Sequence, residues 1–506
     1  MTKKNFTYAF IASMLLIACS KKVKNSEATS KPTNHPTIIY SPNQDYVELY
    51  NKAWEIAKEH VKSSDGLVQS PYIDEAFDES TIWIWDTAFM LHFFKYASFD
   101  FPAIESLNNF YAPIHDNTEI PLRIEIPDNP PLFAWTEHDF YKFSNDTKHV
   151  KKLLYKKEYL QKHFEWFDTV PKGTVIANSA KTWLKKEPNG YQWEGGRSGM
   201  DNTPRGREKG KSAKKNRPNN PDMLWIDAIA QQGLSALNIS KLFTSIGDTI
   251  QANIWKSKYN AIKQKINTLY WDEEDGIYYD LNRKTLKPMK LITPASYWPM
   301  LAEMCDSVQA KKMVEHIKNP EALGGDVPWT TVPRNDIDFD PKGGYWRGSI
   351  WIPTAYMGIK AIQKYGYFGL ARNNALSIID HMSKTYRQYK PHTIWECYSP
   401  TEPKPALTIH GDIVRPDFCG WSALGPISLM IENVIGFYDI NAQNKTVKWN
   451  LHKEGIQGIK NLVFGNVVTD IIYENDVVKV KTNQKFILTI NNVDYTINEG
   501  INKLGL

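Results

Sequence analysis

The chain has 506 residues, a net charge of +5, and 17 Trp, 26 Tyr and 21 Phe. That length buries a sizeable core and suits two to four domains or one large repetitive one. The charge is modest and the lysines are scattered. The one basic run, residues 209–217 (KGKSAKKNR), has no interleaved aromatics, so a solvated loop is expected there and a nucleic-acid partner is not.

Lys3 and Lys4 precede an apolar run, Tyr8–Ala18, which ends in Leu16-Ile17-Ala18-Cys19. The run is short for a bilayer span and reads as a signal peptide over residues 1–18. Its ending resembles the bacterial lipobox, which implies a lipid on Cys19 and an exported, membrane-anchored protein, periplasmic or on the outer membrane. Residues 19–43 are polar and aperiodic and read as a tether. Cys305, Cys397 and Cys419 offer no disulfide plan and no zinc spacing, so buried thiols are expected.

Apolar residues recur at helical spacing over Asp45–Lys62 and over Trp83–Tyr96. Asp86 stands at the start of the second segment, where a carboxylate suits the helix dipole. A capping role and a ligand-binding role are both open to it. Pro130–Phe143 and His149–Phe167 also read as helices. Asp222–Phe243 with Asp248–Leu269, and Ile350–Tyr365 with Tyr367–Lys384, read as helical hairpins, and Ser422–Phe437 as a further long helix. Between them lie loops rich in Trp, Gly and Pro at 191–221, 271–299, 324–348 and 393–421; long loops in a compact domain usually carry function. The pattern predicts a mainly α fold, a toroid of about six hairpins with those loops gathered at one mouth. From Lys445 the character changes. Thr446–Leu451, Val467–Tyr473, Val477–Thr482 and Phe486–Ile490 alternate apolar and polar residues and predict a small antiparallel β domain. The expected division is thus 44–440 for the helical domain and 441–506 for the β domain.

Two loop carboxylates stand among Trp and Arg. Asp201 lies in residues 191–205 (YQWEGGRSGMDNTPR), where Gly195, Gly196 and Gly199 permit unusual backbone angles. A solvated turn capped by Asp and Asn is the plain alternative. Glu396 lies in residues 392–400 (HTIWECYSP). An acid that protonates a departing oxygen and a carboxylate that activates water are what glycosidic cleavage needs. Burial against Trp would raise the acid's pKa and keep it protonated. Their positions along the chain say nothing about proximity.

An ordered series of segments resembles the six-hairpin glycosidases of the trehalase superfamily. It runs through Trp85-Asp86-Thr87-Ala88-Phe89, then Pro130–Trp135, Ser198–Arg205 and Tyr270–Asp280. It continues with Gly344–Trp351, Trp395-Glu396 with Tyr398, and Gly420–Pro426. The nearest groups are the α-glucosidases of glycoside hydrolase family 63 and the mannosylglycerate and glucosylglycerate hydrolases. The resemblance implies an (α/α)6 barrel, Asp201 as general acid, Glu396 as general base, inversion at the anomeric carbon, and an oligosaccharide or small glycoside as substrate. It also implies that Trp85, Asp86, Trp346 and Arg347 shape the sugar subsite, with Trp193, Asn202, Arg205 and Trp421 as weaker members. Against these stand core packing for the tryptophans, a bracing salt bridge for Arg347, and support of the Asp201 loop by Asn202 and Arg205.

The chain departs from the pattern at Arg197, where relatives carry Glu, and at Cys397 after the base. Glu194 is placed to compensate for the first. No cofactor or metal is expected; the acidic run 272–280 offers oxygen ligands for calcium but reads as a solvated turn. Two competing readings are a polysaccharide lyase or unsaturated-uronide hydrolase on the same toroid, and a non-catalytic glycan-binding lipoprotein.

Overall fold

The computed structural model describes residues 35–75, 79–97, 101–208, 211–213 and 220–506. The expected signal peptide, Cys19, most of the tether and most of the basic run lie outside the described residues. Asn34–Leu506 forms one compact unit.

Helices follow one another in pairs. They are α1 (Gln44–Glu59) and α2 (Ile84–Phe94), α3 (Asn108–His115) and α4 (Phe133–Ser144), then α5 (Tyr159–Thr169) and α6 (Ile226–Ser245). Next come α7 (Thr249–Leu269) and α8 (Trp298–Leu301), then α9 (Ser307–Lys318) and α10 (Ile352–Lys364). Last are α11 (Phe368–Gln388) and a π-type helix, Gly425–Ile435. Among the described residues the second members form a circuit: α2 packs on α4, α4 on α6, α6 on α8, α8 on α10, α10 on the π-type helix, and that helix on α2. Their sequences explain the placement. Every residue of α2 (IWDTAFMLHFF) and of Gly425–Ile435 is buried, and helices apolar all round belong in a core. By contrast α1, α7, α9 and α11 bury one face only, and α7 and α11 are joined to their inner neighbours by short turns at Gly247 and Gly366.

Several helices differ from the periodicity reading. α1 stops at Glu59, and Val61–Lys62 pairs as a short strand with Tyr72–Ile73. The segment expected as one helix over His149–Phe167 is broken: a π-type turn, Lys152–Lys157, ends at Glu158, whose φ of 54° cannot continue a right-handed helix. The last helix opens with a 3-10 turn, Ser422–Leu424, and stops at Gly436 (φ 102°), where a Cβ would meet the Asn450 carbonyl oxygen at 2.2 Å. α3 and α9 were not legible as elements from periodicity, although Asp306 and Gln309 form a capping box ahead of α9.

The C-terminal region is two sheets. Strands in chain order are β1 (Thr37–Tyr40), β2 (Phe437–Asn441), β3 (Thr446–Trp449), β4 (Gln457–Phe464), β5 (Val467–Glu474), β6 (Val477–Thr482), β7 (Phe486–Ile490), β8 (Val493–Ile497) and β9 (Gly500–Gly505). One sheet has the order β1-β4-β5-β6-β9 and is antiparallel throughout. The other, β2-β3-β7-β8, is not: β3 and β7 run parallel, because the chain reaches β7 only after leaving the first sheet. The two sheets meet through Phe464 and Phe486, whose rings cross at 5.9 Å. Two boundaries also move. β1 lies inside the segment expected as tether, and β2 begins at Phe437, before the expected boundary at 441.

Candidate active site

The Asp201 loop is shaped by its glycines. After Gln192 the chain makes one helical turn, Gly195–Ser198, and leaves it through Gly199 at φ 81°. A Cβ on Gly195 would lie 2.5 Å from the Asp201 carbonyl oxygen, and one on Gly199 2.8 Å from the Trp85 ring. The loop therefore folds back on itself and lies flat against Trp85. Asn202 ties it to a second loop: its side-chain NH2 donates to the Gly344 carbonyl (3.0 Å) and its oxygen accepts from the Trp346 N–H (2.8 Å).

That second loop turns on Gly343 and Gly344 and carries Tyr345 at φ 66°, an angle uncommon for a bulky residue. The Tyr345 hydroxyl donates to Glu396 Oε1 at 2.8 Å. Glu396 Oε2 accepts from the Arg415 N–H at 3.4 Å, and the backbone is held as well. Its N–H donates to the Arg415 carbonyl (3.0 Å), and its carbonyl accepts from Trp421 Nε1 (3.0 Å) and Ser422 Oγ (3.1 Å). Burial pushes the Glu396 carboxyl above its ordinary value, while the Tyr345 hydrogen bond and Arg415 pull it back.

Asp201, Tyr345 and Glu396 stand where two cavities meet. A mouth of about 640 Å³ is walled by them together with Asn202 and the 408–415 loop. An inner chamber of about 60 Å³ continues past them to Trp85, Asp86, Trp346, Trp351 and Trp421. Trp346 and Trp351 stack at 4.1 Å, and Trp421 stands 5.5 Å from Trp351, tilted by 53°, which lines the chamber with aromatic surface of the kind that suits a pyranose face. Asp86 lies on the first turn of α2 but does not cap it. The Trp83 N–H and the Thr87 hydroxyl are both taken by Asp74 Oδ2, at 3.0 and 2.6 Å. Asp86 is buried, and burial with the charges of Asp74, Glu396 and Asp201 raises its pKa well above the carboxylate range.

The expected residues divide. Trp85, Asp86, Asn202, Trp346 and Trp421 line the two cavities with Asp201 and Glu396. Trp193, Arg205 and Arg347 do not line either cavity. Trp193 donates its indole N–H to the Asp128 carbonyl at 3.0 Å. Arg205 is a buried brace: Asp227 takes both of its Nη atoms at 2.6 and 2.9 Å, and Asp280 takes Nε and Nη2 at 2.8 and 2.6 Å. It also lies 4.4 Å over the Trp225 ring. Arg347 pairs with Asp338 at 3.0 Å. Arg197, the departure from the family pattern, bonds Glu194 at 3.0 Å and approaches Asp128 at 3.5 Å, so its charge is matched behind the loop.

Sequence reasoning missed Tyr345, Trp83, Asn129, Trp351 and Arg415, all on the cavity walls. For Tyr345 a signal existed in the Gly-Gly pair before it, which marks a backbone needing positive φ. Away from the cavity, Asp272, Glu274 and Asp275 bring carboxylate oxygens within 4.8 Å of one another, and Lys290 Nζ contacts all three at 3.1, 3.7 and 2.8 Å.

Comparison with known proteins fits this geometry. An uncharacterized protein of Borreliella burgdorferi is 26% identical over 478 residues, covering 90% of this chain and 94% of that one. A probable mannosyl-oligosaccharide glucosidase of Schizosaccharomyces pombe is 25% identical over 312 residues, 57% of this chain; the match spans only 36% of that protein's length. The crystal structure of the family 63 mannosylglycerate hydrolase of Thermus thermophilus with glucose shares the fold, with a TM-score of 0.53, 16% identity, and coverage of 75% of this chain and 99% of that one. Residues 125–408, more than half of the sequence, match the family described as the mannosylglycerate hydrolase MGH1-like glycoside hydrolase domain, and the chain belongs to that family of glycoside hydrolases.

Proposed function

We propose that the protein is an inverting α-glycoside hydrolase acting on an oligosaccharide or small glycoside, built on an (α/α)6 barrel, exported and held to a membrane by a lipid on Cys19. The observation that carries the catalytic part is the meeting of Asp201 and Glu396, distant in sequence, at one junction between a wide mouth and an aromatic chamber. The α-linkage is supported by the glucosidase and mannosylglycerate hydrolase names of the relatives. The barrel is supported by the closed circuit of buried helices.

In this reading the sugar lies against Trp346, with its anomeric carbon at the junction. Asp201, as the neutral acid, passes its proton to the glycosidic oxygen as the bond to the anomeric carbon breaks. Glu396 takes a proton from a water on the opposite face, and that water's oxygen forms the new bond, so the configuration inverts. The aglycone leaves as an alcohol toward the mouth. Asp201 ends as carboxylate and Glu396 as acid, and exchange with solvent restores both. Tyr345, donating to Glu396, favours its carboxylate form. Burial among carboxylates raises the Asp86 pKa, which favours the protonated form that can donate to a sugar hydroxyl.

A screen of aryl α-glycosides and short oligosaccharides with wild type, Asp201→Asn and Glu396→Gln tests the assignment. Each variant is expected to lose roughly 10²- to 10⁴-fold in kcat/KM. Full activity in Glu396→Gln points instead to a lyase, and sugar binding without turnover in the wild type to a glycan-binding protein.

A further inference from the structure

A second cavity, of about 360 Å³, lies at the other end of the same inner helices. The chamber takes Asp86 from the start of α2 and Trp351 from the start of α10, whereas this cavity takes Lys95 from just beyond α2 and Lys360 and Lys364 from the end of α10. Asp86 and Lys95 are about 13 Å apart along the helix axis at 1.5 Å per residue. An aromatic column separates the two spaces. Trp85 of the chamber touches Phe89 (4.8 Å), Phe89 touches Trp135 (6.0 Å), and Trp135 lies 4.0 Å from His92, both of the latter facing the rear cavity.

Among the described residues the rear cavity is lined by five lysines, Lys95, Lys142, Lys241, Lys360 and Lys364, against three carboxylates, Asp139, Glu432 and Asp439. The acids are shared: Glu432 meets both Lys95 (3.0 Å) and Lys360 (2.7 Å), and Glu303, behind the wall, meets both Lys241 (2.6 Å) and Lys364 (2.8 Å). The lysines feel one another. Burial and the charges of Lys241 and Lys142 hold His138 down to about 3, so it stays neutral. His92 sets the remaining demand. Its Nδ1 meets Asp139 at 2.9 Å, burial lowers the ring's pKa, and its buried Nε2, an acceptor in the neutral ring, has no partner. Lys95 also meets Asp139 (2.8 Å) and Lys142 meets Asp439, so each lysine has a carboxylate and, with Glu303 counted, five ammonium groups face four carboxylates. The cavity therefore offers one ammonium charge beyond its acids, an acceptor that wants an O–H, and an aromatic wall of Trp135 and Tyr356.

We propose that this rear cavity binds a monosaccharide carrying an anionic group: the lysines take the phosphate, sulfate or carboxylate, His92 accepts from a hydroxyl, and Trp135 covers the apolar ring face. The site is independent of the catalytic reading and stands even if that reading fails.

Glucose 6-phosphate, glucose and inorganic phosphate, titrated calorimetrically and by tryptophan fluorescence, provide the test. Glucose 6-phosphate is expected to bind with a Kd of about 1 mM or tighter and more tightly than either fragment. The double variant Lys241→Ala/Lys364→Ala should weaken it at least tenfold. That variant leaves Glu303 unpaired, but Glu303 is 39% exposed and returns to water, and Lys142→Ala serves as a second variant with the same expectation. Phosphate binding as tight as the sugar phosphate, no binding up to about 10 mM, or unchanged affinity in both variants would overturn the proposal.

Discussion

Tyr345 bears on the charge state of the residue proposed as base. Glu396 is 4% exposed, and burial raises its carboxyl pKa above the ordinary value. The hydroxyl donating at 2.8 Å stabilises the carboxylate, so its removal raises the carboxyl pKa further. If Glu396 acts as the ionised base, Tyr345→Phe should move the acid limb of the kcat/KM profile to higher pH while the basic limb stays in place. An unmoved acid limb would separate Tyr345 from the titration of Glu396. At this scale the sequence was partly legible: the two carboxylates and most of the tryptophans that share their cavities could be named, but for Arg205 and Arg347 a subsite role and a bracing role stayed open. Arginine serves a sugar hydroxyl or a buried carboxylate equally well. Only the fold brings Asp227 and Asp280 to Arg205 and Asp338 to Arg347.

Loops rather than helices fix the site, and their geometry depends on a few glycines. Gly199 combines a φ of 81° with a Cβ position 2.8 Å from Trp85, so a methyl there meets both backbone strain and an indole that is itself packed on Phe89. Left-handed backbone costs a residue with a Cβ about 1–2 kcal/mol. Gly199→Ala should therefore lower Tm by roughly 1–2 °C or more. It should also cut kcat/KM by about tenfold or more, since a displacement near 1 Å at a catalytic carboxyl is that costly. Retained activity with a lowered Tm would show that the loop's contact with Trp85 does not position Asp201. Helical spacing located most of the long helices because their apolar stripes are unambiguous. It did not distinguish stretches whose hydrogen bonding is not of the α type, at Lys152–Lys157 and, within the helix expected over Ser422–Phe437, at Gly425–Ile435. A π-type turn leaves the same apolar composition and only shifts the phase.

Across the whole molecule, the inner helices and the C-terminal sheets were legible in outline from composition. The closure of the circuit, the parallel β3–β7 pair and the docking of β1 were not, because each depends on contacts between distant segments. β1 fastens residues 37–40 to the C-terminal sheet through Thr37–Tyr40 and Lys460–Gln457. If the chain is anchored through Cys19, Cys19→Ser should move the protein from the membrane fraction to the soluble one with its glycosidase activity intact; an unchanged distribution would remove the anchor from the account. The two large cavities, at opposite ends of one set of helices, also make chemistry at one end and ligand binding at the other separable by mutation.

In the proposed mechanism Asp201 and Glu396 act on opposite sides of one anomeric carbon, with water as the nucleophile. Proton NMR of the first product released from an α-glycoside, recorded before mutarotation, reads the outcome. Inversion makes the β-anomer appear first, and Glu396→Gln abolishes its formation; the α-anomer appearing first would rule the mechanism out.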